Sequence, residues 1–183
     1  MSLEAEDAFR QLLAIETSKE RTLLQTLTRG DNVAAQVLDL ARVQYARGVR
    51  ELAEAAVVKD FDEPYLNVYR SLISGCKALL AAYGYRVQGG DGAHFETLRL
   101  AAIGLTASDP ETGNLLETIR EPIRSARNEA EYQRPGVTTV AELRQLFEAA
   151  ASILPAIVRL VGRLAAASDL PLSEVWTVPE TPE

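Results

Sequence analysis

Eight apolar residues, Val140, Leu143, Phe147, Ala150, Leu154, Ile157, Val161 and Leu164, follow one another at alternating steps of three and four. On a helix that spacing is one continuous side, whereas on a strand it would be divided between two faces. Residues 138–167 are therefore expected to form one long helix with an apolar seam, and the rest of the chain has to cover it. Thr139 and Glu142 stand three apart at its start, the spacing of a capping box. Pro155 removes a backbone donor further along, which predicts a kink near Ala151–Leu154.

The remaining segments also read as helices. Residues 4–28 and 33–58 are amphipathic and are separated by Arg29-Gly30-Asp31-Asn32. Val37, Ala41, Gly48, Leu52 and Ala55 share one face of the second. After the turn Lys59–Pro64, Tyr65, Tyr69, Leu72, Ile73, Cys76, Leu80 and Tyr83 make a further stripe that ends at Gly84. A helix from about Ala93 to Leu105 follows the loop Gln88-Gly89-Gly90-Asp91-Gly92. Another opens at a capping box of Ser108 and Glu111, with Pro110 in its first turn, and runs toward Tyr132. No alternating run predicts a sheet. The expectation is an all-α, five- to six-helix up-and-down bundle over residues 1–167, with an N-terminal helical hairpin at 1–58. The long apolar helices 33–58 and 138–167 make a homodimer the default expectation.

Composition narrows the chemistry. One cysteine and one histidine in 183 residues exclude an internal disulfide and argue against a zinc-type metal site, and no cofactor is implied. A net charge of -7 argues against a broad nucleic-acid surface. The uninterrupted apolar runs are short for a membrane span and the N-terminus lacks a signal pattern, so a cytoplasmic protein without membrane attachment is expected. Residues 168–183 carry Asp169, Glu174, Glu180 and Glu183, three prolines and no basic residue, which reads as an acidic tail.

The stretch from Arg120 to Arg134 departs from this acidity. At about 100° per residue, Arg120, Arg124, Arg127 and Arg134 share an arc of about 80° on a helix, apart from the apolar arc of Leu115, Leu116, Ile119, Ile123, Ala126 and Ala130. Stacked arginines repel one another unless carboxylates or a bound anion compensate. Glu121 and Glu131 are placed to do so, and Arg120, Arg124 and Arg127 are the candidate phosphate-binding residues. His94 opens the helix after the glycine loop, and that loop could present backbone N–H groups to an anion. No Gly-Lys-Ser/Thr follows, which excludes a P-loop. Cys76, amid Ile73, Leu80 and Tyr83, reads as a small core residue.

The segments Pro64-Tyr65-Leu66-Asn67-Val68-Tyr69-Arg70 and Cys76-Lys77-Ala78-Leu79-Leu80-Ala81-Ala82-Tyr83-Gly84-Tyr85-Arg86 resemble the long aromatic-and-alanine helix of HEPN domains. The order that follows is similar too: Gly92 to His94, a helix, then Arg127-Asn128-Glu129-Ala130-Glu131-Tyr132, then the closing helix. The resemblance covers roughly residues 62–167. It implies a helical bundle that dimerises so that two Arg-polar…His motifs face each other across a cleft. In active members this is a metal-independent RNase site, where the Arg binds phosphate and the His assists proton transfer. Many members are toxins paired with a nucleotidyltransferase-like antitoxin, and others bind nucleotides or only mediate assembly.

Tyr132 stands where that motif has its His. A tyrosine hydroxyl with a pKa of about 10 is a poor proton shuttle at neutral pH, although it can donate a hydrogen bond or stack on a base. The tentative catalytic set is thus Arg127, Asn128 and Tyr132, with His94 as the alternative source of an imidazole. Three functions are in competition. They are a phosphate-bearing ligand (nucleotide or RNA) or a partner held by an arginine-lined cleft, a toxin-like endoribonuclease, and a non-catalytic interaction protein.

Overall fold

The seam of residues 140–164 is the wall on which the fold is built. A computed structural model describes residues 3–20, 22–27, 33–90, 92–133 and 136–167. It contains α1 (Leu3–Thr17), β1 (Leu24–Thr26), α2 (Val33–Val58), α3 (Asp62–Ala82), β2 (Tyr85–Val87), α4 (Ala93–Ser108), α5 (Pro110–Asn128), a π-helical turn (Glu129–Gln133) and α6 (Val140–Ala167). The all-α class expected from the sequence is the class observed. In α6 the residues Leu143, Phe147, Ala150, Leu154, Ile157, Val161 and Leu164 are all buried, and only Val140 at the helix start is exposed. The helix is long and apolar enough to cross a membrane, yet its seam lies against α3 and α5. Thr139 and Glu142 form the expected capping box, with Thr139 N donating to Glu142 Oε2 at 2.8 Å and Glu142 N to Thr139 Oγ1 at 3.2 Å. The helix continues through Pro155.

α3 is the hub, touching α2, α4, α5 and α6. Tyr65, Val68, Tyr69, Leu72, Cys76, Leu79 and Leu80 along it are almost wholly inaccessible. Burial pushes the Cys76 thiol up to about 12, consistent with a packed, unreactive sulfur. α2 lies close along α3, where Gly48 leaves no room for a side chain: a Cβ there would stand 2.8 Å from Val68 Cγ2. Ser71 Oγ donates to Ala41 O at 2.7 Å and Asn67 Nδ2 to Glu51 Oε2 at 2.6 Å across the same contact.

Three expectations need correction. The first helix stops at Thr17 and does not reach residue 28. Leu24–Thr26 instead pairs antiparallel with Tyr85–Val87, Gln25 opposite Arg86, so the bundle carries a small two-stranded ribbon. Three-residue strands are too short for alternation to reveal them, and they exist because Leu24 is buried against the bundle. The start of α5 also differs. Asp109, not Ser108, caps it, accepting from Thr112 N at 3.2 Å.

Candidate functional site

The arginine stripe of α5 is real, and α4 packs beside it. Arg120 is largely buried, donates from Nη2 to Glu117 Oε1 at 2.6 Å, and stacks over Phe95 with its Cζ 4.3 Å from the ring centroid. Its Nε and Nη1 find no hydrogen-bond acceptor among the described residues, and the ring face is their compensation. Arg124 also lies over Phe95, at 5.5 Å, and pairs with Glu121 at 3.2 Å. Arg127 pairs with Glu131, donates from Nη1 to Asn128 Oδ1 at 3.0 Å, and sits 6.0 Å from the centre of the Tyr69 ring. The mutual repulsion of stacked cations is thus offset residue by residue.

Tyr69 joins the stripe to the histidine. Its hydroxyl lies 3.4 Å from His94 Nδ1 and the two rings stand 5.9 Å apart. Burial, with the positive charges of Lys77 and Arg127, holds His94 below its ordinary range, against the opposing pull of Glu131. Burial pushes Tyr69 up to about 12. At neutral pH the phenol is therefore protonated and the imidazole neutral. The hydroxyl can then donate to Nδ1, which leaves the ring proton on Nε2. In this arrangement His94 is a donor to an incoming oxygen rather than a base.

The helix bearing the motif changes its winding at the motif itself. α5 ends at Asn128 and the next five residues take the wider π-helical turn. Such turns are rare and recur at functional sites. Beyond it the chain is tied down by Asp62, whose buried carboxylate accepts from Gly136 N and, at 3.0 Å, from Thr138 N.

No protein-family model, curated protein or solved structure matches the chain. The site is accordingly read from its own geometry. His94 and Arg127 are brought together around Tyr69, with Asn128 accepting from Arg127, whereas Arg120 and Arg124 lie farther back along α5 on Phe95. Tyr132 belongs to the π-helical turn, but its side chain lies outside the described part of the structure, as do Arg134 and residues 168–183. Tyr69, Phe95 and Arg70 (its Nη2 3.9 Å from Glu131 Oε1) are neighbours of the stripe that spacing along the chain did not single out. Tyr69 reads as core by its periodicity, and only packing shows that its hydroxyl emerges at His94. Among the described residues no group of acidic, histidine and cysteine side chains could hold a metal. A hollow of about 480 Å³ between α1, α4 and α5 is lined by Phe9, Leu12, Ile103 and other residues, none of them basic, and suits no anion.

Proposed function

We propose that this chain is a dimeric, HEPN-like helical protein whose Arg127–Tyr69–His94 cluster binds a phosphate-bearing ligand, a nucleotide or an RNA, without cleaving it. The observation that carries this reading is the convergence of those three side chains, from α5, α3 and α4, at the π-helical end of α5. The guanidinium supplies charge and paired donors, Nε2–H of His94 supplies a further donor, and Tyr69 fixes the ring. Binding is favoured over cleavage because His94 Nδ1 faces the Tyr69 hydroxyl and the motif position holds Tyr132. The dimer of this reading draws on α2, which keeps Leu40, Val43, Val57 and Val58 exposed, whereas the α6 seam is consumed by the core.

His94 is the only histidine, so its ring gives a single imidazole signal to follow. Phosphate, a nucleotide and a short RNA are each titrated against the full chain. A bound phosphate should raise the His94 pKa and shift the amides of residues 120–133, and Arg127→Ala should abolish both effects. A His94 titration curve and amide positions that ignore all three ligands would rule the reading out. Cleavage of the RNA without metal, lost in Arg127→Ala, would instead favour the endoribonuclease.

A further inference from the structure

Glu131 does more than neutralise Arg127. Its Oε2 pairs with Arg127 Nη2, and its Oε1 lies 3.9 Å from Arg70 Nη2. The two guanidiniums come from different helices, α5 and α3, and stand on either side of one half-buried carboxylate. Arg70 directly follows Tyr69 in the chain, so the element that presents the hydroxyl to His94 also presents this second cation. Two arginines sharing the two oxygens of one anion is also how a phosphate group is held. Arg70 and Arg127 thus share the one carboxylate of Glu131, two guanidiniums against a single negative charge. Glu131 itself sits in the π-helical turn, a winding that occurs as single turns and recurs at functional sites.

We propose that Arg70 is the second arginine of the anion site and that Glu131 holds the ligand's place, so that a phosphate binds between Arg70 and Arg127 by displacing this carboxylate. The inference rests on the reading of the Arg127 cluster as an anion site. It adds a binding residue, and it makes Glu131 a competitor that sets the affinity.

The test is a titration of inorganic phosphate at low ionic strength, read by amide and His94 ring shifts, on the full chain and five variants, Arg127→Ala among them. Glu131→Gln should bind about twofold to fivefold tighter than wild type, the range an ion pair of this exposure can contribute. Arg70→Ala should bind weaker by a similar factor, and Arg70→Lys should recover part of the loss. Glu129→Gln removes the same charge from an exposed position of the same turn and should change the affinity little. Amide dispersion reports whether each variant is folded, and Arg70→Lys stands in if Arg70→Ala is not.

Binding lost in Arg127→Ala but unchanged in both Arg70→Ala and Glu131→Gln overturns this inference and leaves the anion-site reading intact. Equal gains from Glu129→Gln and Glu131→Gln overturn it as well, since net charge would then account for both. A wild type that ignores phosphate beside a Glu131→Gln variant that binds it supports the competitor role directly. Absence of any phosphate shift in both proteins overturns the inference, and the reading falls with it when the nucleotide and the RNA leave the wild type unmoved as well.

Discussion

Asp62 and His94 show how single residues set the site. The Asp62 carboxylate lies in the first turn of α3, where the helix dipole favours it, and accepts the Gly136 and Thr138 amides from the far side of the motif. Asp62→Ala leaves two amides without an acceptor and should cost about 3 kcal/mol, measurable by denaturant unfolding. An unchanged midpoint would show that the contact is not made in solution. His94 gives a pH signature of known sign. Its folded pKa lies below the unfolded value of about 6.5, so the folded state resists protonation. The stability is complete above about pH 6.5 and falls as pH drops from there toward the folded pKa. His94→Gln should flatten that acid limb and leave the stability at neutral pH nearly unchanged; equal pH slopes for the two proteins would refute this. The arginines were legible from their positions along the helix, and so was their compensation by Glu121 and Glu131. Tyr69, Phe95 and Arg70 were not, because nothing in helical periodicity tells which neighbour a side chain meets across an interface.

Among the elements, α5 is the one whose placement matters most, and a glycine fixes it. A Cβ at Gly113 would lie 2.2 Å from Thr106 Oγ1 and 2.4 Å from Thr106 N. No side-chain rotation relieves a clash with backbone, so Gly113→Ala must push α5 away from α4 and lift Arg120 and Arg124 off Phe95. The expected loss is about 3 kcal/mol, a fall in Tm of about 6–12 °C for a chain of this size, read by thermal unfolding. A Tm within a degree or so of wild type would mean that the two helices are not packed so closely. α1 teaches the opposite lesson. Its apolar pattern continues beyond Thr17, but Leu24 finds a better place under the ribbon with β2, and tertiary burial overrides the local helix signal. The π-helical turn was equally hidden, since it depends on how α5 has to end and not on the residues alone.

For the whole molecule the issue is where charge and apolar surface are left over. The net charge is -7, yet residues 120–134 carry four arginines against three glutamates, so the candidate site is locally basic on an acidic protein. Leu40 and Val43 are 49% and 55% exposed one turn apart on α2, beside Arg42, Arg47 and Glu51. An apolar pair rimmed by both signs of charge suits an isologous contact with a second copy. In the proposed dimer, Leu40→Arg with Val43→Arg should sediment as a monomer at concentrations where wild type is a dimer. A monomeric wild type throughout the accessible concentration range would refute the dimer.

From its residues alone the chain was committed to helices. The 3.6-residue periodicity, the Thr139–Glu142 cap and the Gly84 stop are local matters, decided by which atoms lie within one or two turns of each other. The arginine arc belongs to the same class, because it is geometry within a single helix. The encounter of Arg127 with Tyr69, His94 and Arg70 belongs to another class. It joins residues more than thirty positions apart, and it exists only because α3, α4 and α5 are packed at fixed distances by residues such as Gly113 and Asp62. Periodicity carries the direction a side chain takes from its own axis, and only the packed core decides what stands at the other end.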